Sequence, residues 1–381
     1  MEIKDIEALF SKYKESSLHD RYLTNRDIEP LLKRLPNFIS VQVIGESVLK
    51  KPIYGIQLGS GQKKILMWSQ MHGNESTTTK AIFDLLNTFV KGEYLVEHIL
   101  QSCTIYIIPI LNPDGAGAYT RVNANQIDLN RDAQMRSQPE SRVLRKVYED
   151  FKPDYCYNLH GQRTIFSAGK TNNPATVSFL APAQDEECTI TPNRMVAMEI
   201  IAKMDEVLQQ VIPNQVGVYD DSFNINCVGD TFQSENIPTI LFEAGHYTND
   251  YSRNITRKYI YMSFLVSLDY VSNSDVDGSK YDLYFKIPEN DKCFFDIIIR
   301  NARVASEILD IGILYQERLI NDKINFVPKV EKIEILNGFY GHKEIDASAH
   351  TVFNEKLEDL ILESESNYAI INNEKISLLL K

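Results

Sequence analysis

The stretch Ile65-Leu66-Met67-Trp68-Ser69-Gln70-Met71-His72-Gly73-Asn74-Glu75 joins an apolar run to a histidine and a carboxylate three residues apart. Four large apolar side chains in succession predict a buried strand, and the residues after Glu75 favour a helix. His72 and Glu75 then lie at the carboxyl end of a strand, where ligands bind in α/β proteins. Such a pair can bind zinc, but it also fits a plain helix N-terminus, where the helix dipole favours Glu75.

Three further apolar runs end on polar residues in the same way. These runs are 104–111, which leads into Asn112-Pro113-Asp114-Gly115, 155–159, which leads into His160, and 237–242, which leads into Glu243. Helical patterns follow at roughly 76–90, 140–151 and 194–211. The succession of strand, polar residue and helix is typical of an α/β fold, and it predicts that the polar residues converge on one site.

The residue types at these strand ends indicate a catalytic metal site. His72, Glu75 and His160 would bind zinc and leave a fourth position for water, which is the arrangement of catalytic zinc. Glu243 would be the general base. A structural zinc site would more often use cysteine, and the five cysteines of the chain form no Cys-x-x-Cys pair.

Two loop segments add positive charge to this set. Arg121 would stabilise the negative charge that develops on a carbonyl oxygen, and Asn130 with Arg131 would hold a substrate carboxylate. An isolated loop arginine is usually only solvated, so the interpretation depends on the whole ordered series.

The series resembles the zinc carboxypeptidase (funnelin) family of metallopeptidases over residues from about 50 to about 270. The residues that carry the resemblance are His72, Glu75, the 112–115 turn, Arg121, Asn130, Arg131, His160 and Glu243, in the family's order. The resemblance implies a mixed, mainly parallel sheet flanked by helices. It also implies one zinc ion bound by His72, Glu75 and His160, with Glu243 as the catalytic glutamate, Arg121 as the oxyanion arginine, and Asn130 and Arg131 as the carboxylate anchor.

Two positions depart from the family pattern. Asn74 occupies the position of an arginine that recruits substrate in digestive members. The family has an active-site tyrosine before the catalytic glutamate, and Tyr219 is the nearest candidate here for that substrate-binding role. The Gly229-Asp230 pair lies where the side-chain pocket should form, although Asp230 could equally cap the segment that starts at Thr231.

We expect a metallocarboxypeptidase that acts on a peptide with a free carboxylate. The motif His-Gly-Asn-Glu also resembles the desuccinylase and aspartoacylase branch, so an N-acyl amino acid deacylase is the alternative. A catalytically silent peptide-binding protein is the alternative from another class. The sequence leaves the substrate and the oligomeric state open.

Charge and cysteine content restrict the partners and the location. The net charge of −12 argues against nucleic acid and anionic membranes, because phosphate binding requires a basic surface. The sequence shows no secretory signal and no apolar run of membrane-spanning length. An odd number of unpatterned cysteines fits a reducing compartment, so we expect a cytoplasmic protein.

The chain pattern predicts two domains. Residues 1–274 would form the catalytic domain with a short helical leader, and 275–280 would be a flexible break. Residues 281–381 would form a small β-rich or α+β domain of unknown role, with short strands that include 281–287. Gly59-Ser60-Gly61-Gln62 predicts a hairpin turn before the strand that leads to His72. His342 and His350 stand near acidic residues, which suggests either a second metal site or exposed polar loops.

Overall fold

A mixed sheet of eight strands organises the larger part of the chain in the computed structural model, which describes residues 1–91 and 94–380. The strands of the described residues are β1 (Ser40–Glu46), β2 (Pro52–Gly59), β3 (Lys63–Ser69), β4 (Cys103–Ile108), β5 (Tyr155–Gly161), β6 (Ser167–Ala168), β7 (Val177–Leu180), β8 (Val216–Val218), β9 (Thr239–Ala244), β10 (Asn290–Asp291), β11 (Phe294–Val304), β12 (Glu307–Ile320), β13 (Lys323–Glu334), β14 (Tyr340–Asp346), β15 (Val352–Phe353), β16 (Tyr368–Ile371) and β17 (Glu374–Ser377).

The order of strands in the large sheet is β1-β2-β4-β3-β5-β9-β7-β8. The four central neighbours β4, β3, β5 and β9 run parallel to one another, whereas β1, β2 and β4 pair antiparallel. Strand β9 pairs antiparallel with β7, which is parallel to β8. The fold is therefore the mixed, mainly parallel α/β sheet that the sequence predicts.

Helices cover both faces of this sheet. They are α1 (Ile3–Tyr13), α2 (Asn25–Leu32), α3 (Thr77–Val90), α4 (Tyr94–Ser102), α5 (Pro113–Ala118), α6 (Pro139–Phe151), α7 (Pro192–Leu208), α8 (Val228–Ser234) and α9 (Asn254–Asn273), with 3-10 helices at Leu129–Arg131 and Tyr281–Lys286. No helix of the described part of the chain has the length and apolar content needed to cross a bilayer.

Strand β3 shows why its sequence is continuously apolar. Ile65 and Met67 belong to an apolar cluster shared with α1, α3, α7 and α9. Leu66 and Trp68 belong to a second cluster on the opposite face, shared with α6 and α8. Alternate side chains of a strand point to opposite faces, so a strand covered on both sides needs apolar residues at every position.

The predicted hairpin at residues 59–62 is wrong. Strands β2 and β3 are consecutive in the chain, but β4 lies between them and pairs with both. The turn is packed against the start of β4, because a Cβ on Gly61 would lie 1.8 Å from the carbonyl carbon of Ser102. The glycines of this turn therefore allow the backbone to pack closely against Ser102, and they do not mark a hairpin.

The chain divides into two compact units, and each of them is made of two separate segments of the sequence. The first unit contains Met1–Gln162 and Ala175–Asn290, and the second contains Arg163–Pro174 and Asp291–Lys381. The division into a catalytic domain at 1–274 and a C-terminal domain at 281–381 remains a prediction. The short strand predicted at 281–287 is wrong, since Tyr281–Lys286 forms a 3-10 helix in the first unit.

The second unit is built from β-strands. One sheet has the order β13-β12-β11-β14 and another has the order β15-β16-β17. Its core is an aliphatic cluster that includes Ile297, Ile299, Ile311 and Ile313. Asn372 and Asn373, both with positive φ, form the turn between β16 and β17. The described residues of this unit contain no helix, which agrees with the β-rich expectation.

A fully buried ion pair joins α3 to α9 in the first unit. Arg257 donates to Asp84 from Nε (2.6 Å) and from one terminal nitrogen (2.5 Å), and both side chains have no exposed surface. Arg257 also donates to the carbonyl oxygens of Leu18 and Glu15, so the same guanidinium holds the residues that follow α1. Burial raises the pKa of Asp84, and the Arg257 charge opposes this rise.

We expect Asp84→Ala to lower the free energy of unfolding by about 3–5 kcal/mol, because it leaves the buried Arg257 charge without its carboxylate. Urea denaturation measures this change. The control is Asp150→Ala, which removes an exposed partner of Lys146 and should have no measurable effect. Equal stability of the Asp84→Ala protein and the parent would contradict the importance of this pair.

Candidate functional site

The site lies at the carboxyl edge of the four parallel central strands. His72 follows β3, the 112–115 turn follows β4, His160 is near the end of β5 and Glu243 is near the end of β9. His160 and Glu243 are direct partners in the register of β5 and β9. Parallel neighbours end at the same edge of a sheet, so the four polar segments meet there.

A close backbone contact joins the first two segments. Asn112 accepts a hydrogen bond from Gly115 N at 2.8 Å, and its side chain also donates to Met71 O at 3.2 Å. A Cβ on Gly73 would lie 1.9 Å from the carbonyl carbon of Gly115. Glycine between His72 and Asn74 is thus required by the turn that packs against it.

Three side chains form a compact cluster of possible metal ligands. Glu75 lies between the two imidazoles, with 2.9 Å from Oε1 to His72 Nδ1 and 3.0 Å from Oε2 to His160 Nδ1. The two Nδ1 atoms are 3.1 Å apart, and both histidines are almost fully buried. Among the described residues this is the group whose ligand atoms all lie within 4.8 Å of one another.

The donor set of this cluster fits a zinc ion. The three groups are in mutual contact, and protons cannot satisfy all three contacts at once. If both Nδ1 atoms carry a hydrogen for Glu75, two donors face each other across 3.1 Å. A cation instead uses the lone pairs of all three groups. Two imidazoles and a carboxylate are the ligands of many catalytic zinc sites.

Asp128 is a site residue to which the sequence analysis assigned no role. It accepts from His72 Nε2 at 3.0 Å and from Arg121 Nε at 3.0 Å. The first bond assigns the imidazole proton to Nε2 and leaves Nδ1 with a lone pair for a metal. A ligand imidazole commonly has a carboxylate partner. An aspartate two residues before Asn130 was therefore a candidate for that partner in the sequence.

The charges of the cluster shift the pKa values of its members. Burial would raise the pKa of Glu75, but His72 and His160 hold it far below its usual range, so the carboxylate is ionised. Burial alone would lower the pKa of His72, but Glu75 and Asp128 raise it overall. Burial lowers the pKa of His160.

Glu243 has the opposite electrostatic environment from Glu75. Burial, together with the nearby negative charge of Glu75, raises the pKa of Glu243 well above its usual range, and Arg121 and Arg253 oppose this rise. The buried guanidinium of Arg253 donates to Ala244 O at 3.1 Å and to Gln162 O at 3.0 Å. A carboxyl group in such surroundings can hold and return a proton near neutral pH.

The predicted substrate-binding residues occupy the loops beside the cluster. Arg121 is 48% exposed, and its terminal nitrogen lies 3.6 Å from Glu75 Oε1. Asn130 accepts from Val228 N at 3.1 Å, and the exposed Arg131 donates to Asn130 O at 2.8 Å. Asn130 and Arg131 form part of the short 3-10 helix that follows Asp128.

Tyr219 follows β8 directly and is partly buried. Its backbone N donates to Phe179 O at 2.9 Å. Burial raises the pKa of Tyr219, and the negative charges of Glu243 and Glu75 add to the rise. Phe179 lies on β7, which pairs with the strand that carries Glu243.

Asp230 does not cap the segment from Thr231, because it lies inside α8 and accepts from Asn224 N at 3.0 Å. Burial raises the pKa of Asp230 to about 6.

The suggested second metal site does not form among the described residues. His342 Nε2 donates to Thr164 O at 2.8 Å, and its ring stacks on Phe294. His350 Nδ1 donates to Ala347 O at 3.0 Å. Both imidazoles thus serve local structure in the second unit.

Comparisons with known proteins bear on the family and the fold. A family model described as zinc carboxypeptidase matches residues 24–222, more than half of the chain. The chain is 28% identical over 163 residues to carboxypeptidase SOL1 of Arabidopsis thaliana, a match that covers 37% of this chain and 33% of that protein. The matched part thus spans about a third of the length of this curated relative.

Two solved structures share the fold. Carboxypeptidase A from Helicoverpa armigera has a TM-score of 0.52 and 15% identity, and the match covers 74% of this chain and 80% of that one. A metallo-carboxypeptidase from Burkholderia cenocepacia has a TM-score of 0.50 and 18% identity, with 65% and 69% covered.

We expect Asp128→Asn to weaken zinc binding by about 10- to 100-fold, because the amide cannot orient His72 and Arg121 as the carboxylate does. Competition with a chromophoric chelator measures the zinc affinity. Asp150→Asn, at an exposed helical position, should bind zinc as the parent does. Unchanged affinity in Asp128→Asn would remove Asp128 from the site.

Proposed function

The chain belongs to the zinc carboxypeptidase family, and we propose that it hydrolyses the C-terminal amide bond of a short peptide with Glu243 as the general base. The observation that carries this proposal is the register of β5 and β9, which sets the partly buried Glu243 opposite His160. The same strand edge carries the cluster of His72, Glu75 and His160.

His72, Glu75 and His160 would hold one zinc ion. Bound zinc with an open fourth position acidifies water and polarises a carbonyl group. The protein keeps Glu75 ionised for this purpose, since Gly161 N donates to Oε2 at 2.9 Å and two imidazoles flank the carboxylate. Hydrogen bonds to the charged form of an acid favour that form.

Glu243 would take a proton from the attacking water and later give it to the leaving amine. Both steps require a carboxyl group whose pKa is nearer to neutrality than that of an exposed glutamate. Burial and the Glu75 charge raise the pKa of Glu243, while the cations Arg121 and Arg253 oppose this rise.

Arg121 would stabilise the negative charge that develops on the substrate carbonyl oxygen. Asp128 holds the guanidinium through Nε, and one terminal nitrogen lies 3.6 Å from Glu75 Oε1. One aspartate therefore orients both a metal ligand and the proposed oxyanion group.

Asn130 and Arg131 would bind the free carboxylate of the substrate. The Asn130 side-chain oxygen is used by Val228 N, which leaves the amide nitrogen as the group for an anionic ligand. A planar guanidinium can add two parallel hydrogen bonds to a carboxylate. A substrate with a free C-terminus is thus expected to bind better than its amide.

We expect Glu243→Gln to lower kcat by about 10²–10⁴-fold with zinc content unchanged, because the amide cannot accept the proton and no metal ligand is altered. Mass spectrometry of the products from free-acid peptides, with metal analysis of the same sample, measures both quantities. Full activity in this variant would contradict the assignment of the base. Release of acyl groups from N-acyl amino acids by the parent protein would instead support the deacylase alternative.

Replacement of Arg131 by Met should raise KM for free-acid peptides by at least about tenfold, since a charge-assisted contact with the carboxylate is lost. Steady-state kinetics on a peptide and on its C-terminal amide test this expectation. Arg136→Met changes another exposed arginine of the same loop and is the matched control. If the parent cleaved acid and amide equally well, Arg131 would not be the carboxylate anchor.

A further inference from the structure

We propose that Asn290 is a positioning residue that fixes the phenol of Tyr219 beside Glu243 for contact with the bound substrate. This inference rests on the proposed function, because it concerns how the substrate is held at the same site. Asn290 stands far from every motif of the sequence analysis, and it comes to the site through the pairing of residues 288–290 with β8.

Backbone pairing places Asn290 beside β8. Val218 N donates to Pro288 O at 2.9 Å, and Val218 forms a parallel bridge with Glu289. Tyr219 is the next residue after Val218, so the segment that ends at Asn290 runs alongside the strand that presents the tyrosine. Tyr219 lies two residues after Gly217, where an added Cβ would be 2.0 Å from Asn290 Oδ1, so the Asn290 amide lies against the chain just before the tyrosine. The Asn290 side chain also opposes the rise in the pKa of Tyr219, which agrees with a contact between the amide and the phenol.

Two buried side chains hold the Asn290 amide in one orientation. Ser178 Oγ lies 3.0 Å from Asn290 Nδ2 and 3.1 Å from Oδ1. Gln162 Oε1 accepts from Asn290 Nδ2 at 3.2 Å, and Gln162 Nε2 donates to Ser178 Oγ at 3.1 Å and to Ala175 O at 2.7 Å. A polar network in which each member is bonded fixes its groups more firmly than any single bond.

The same network touches the strands of the active site. Ser178 is the register partner of Glu243 on β7 and β9, and Gln162 lies two residues after His160. Asn290 therefore connects Tyr219 to the backbone positions that carry the base and a metal ligand. Replacement of the Asn290 amide should therefore weaken the contact between Tyr219 and the substrate and leave the metal ligands unchanged.

Gly217 provides the space in which the Asn290 amide lies. A Cβ added to Gly217 would be 2.0 Å from Asn290 Oδ1, and Gly217 is the register partner of Ser178. An alanine at this position would displace the amide while keeping Asn290, Tyr219 and all other polar groups. The pair of residues thus offers two independent ways to disturb one contact.

The experiment compares Asn290→Ala, Gly217→Ala, Tyr219→Phe and the double variant Asn290→Ala with Tyr219→Phe in steady-state kinetics on a free-acid peptide. We expect each single variant to lower kcat/KM by about tenfold at unchanged zinc content. Since all three remove one interaction, the double variant should be no worse than about twofold below the worse single variant. Additive losses in the double variant, or unchanged kinetics in Asn290→Ala, would overturn the proposal.

A readout that does not need turnover separates this proposal from the proposed function. With 3-fluorotyrosine placed at position 219 only, the ¹⁹F resonance should move in Asn290→Ala and in Gly217→Ala, and should stay unchanged in Asn273→Ala, which alters an exposed asparagine at the end of α9. If the parent hydrolyses no peptide but the resonance moves, the proposed function fails and the contact stands. If peptides are cleaved and the resonance does not move, the positioning role of Asn290 is wrong.

Discussion

The parallel pairing of β3, β5 and β9 is the constraint on which the rest of the site depends. Its register sets Ser69 opposite Leu159 and His160 opposite Glu243. His160 and Glu243, which are far apart in the sequence, thereby reach the same edge at a spacing fixed by the strands that carry them. A shift by one residue in either pairing would turn His160 or Glu243 to the other face of the sheet, so the apolar clusters on both faces also preserve the site.

Buried charge is the main energetic cost of this arrangement, and the structure offsets it with specific partners. Asp128 satisfies His72 and Arg121, and Gly161 N satisfies Glu75. Burial and the Glu75 charge raise the pKa of Glu243, whereas the two imidazoles lower that of Glu75. The surroundings of the two glutamates thus shift their pKa values in opposite directions.

The sequence predicted most of what local pattern can determine. Apolar runs that end on His72, His160 and Glu243 predicted the central strands and their common edge. The hairpin at 59–62 and the strand at 281–287 were wrong for different reasons. In the first case another strand, distant in the sequence, inserts between neighbours. In the second, alternating aromatic residues such as Tyr281 fit a 3-10 turn as well as a strand. The contacts of Asp128 and Asn290 depend on tertiary pairing, which periodicity does not report.

The composition of the second unit has a consequence for the order of folding. Residues 163–174 belong to it through the bond from Phe294 N to Ile165 O (3.1 Å) and the pairing of β6 with β10. A ribosome makes this segment long before the strands that receive it. The newly made chain must therefore keep Ile165 and its neighbours without their partners until Phe294 and the strands after it have been made, and a chaperone that binds apolar segments would have an opportunity there.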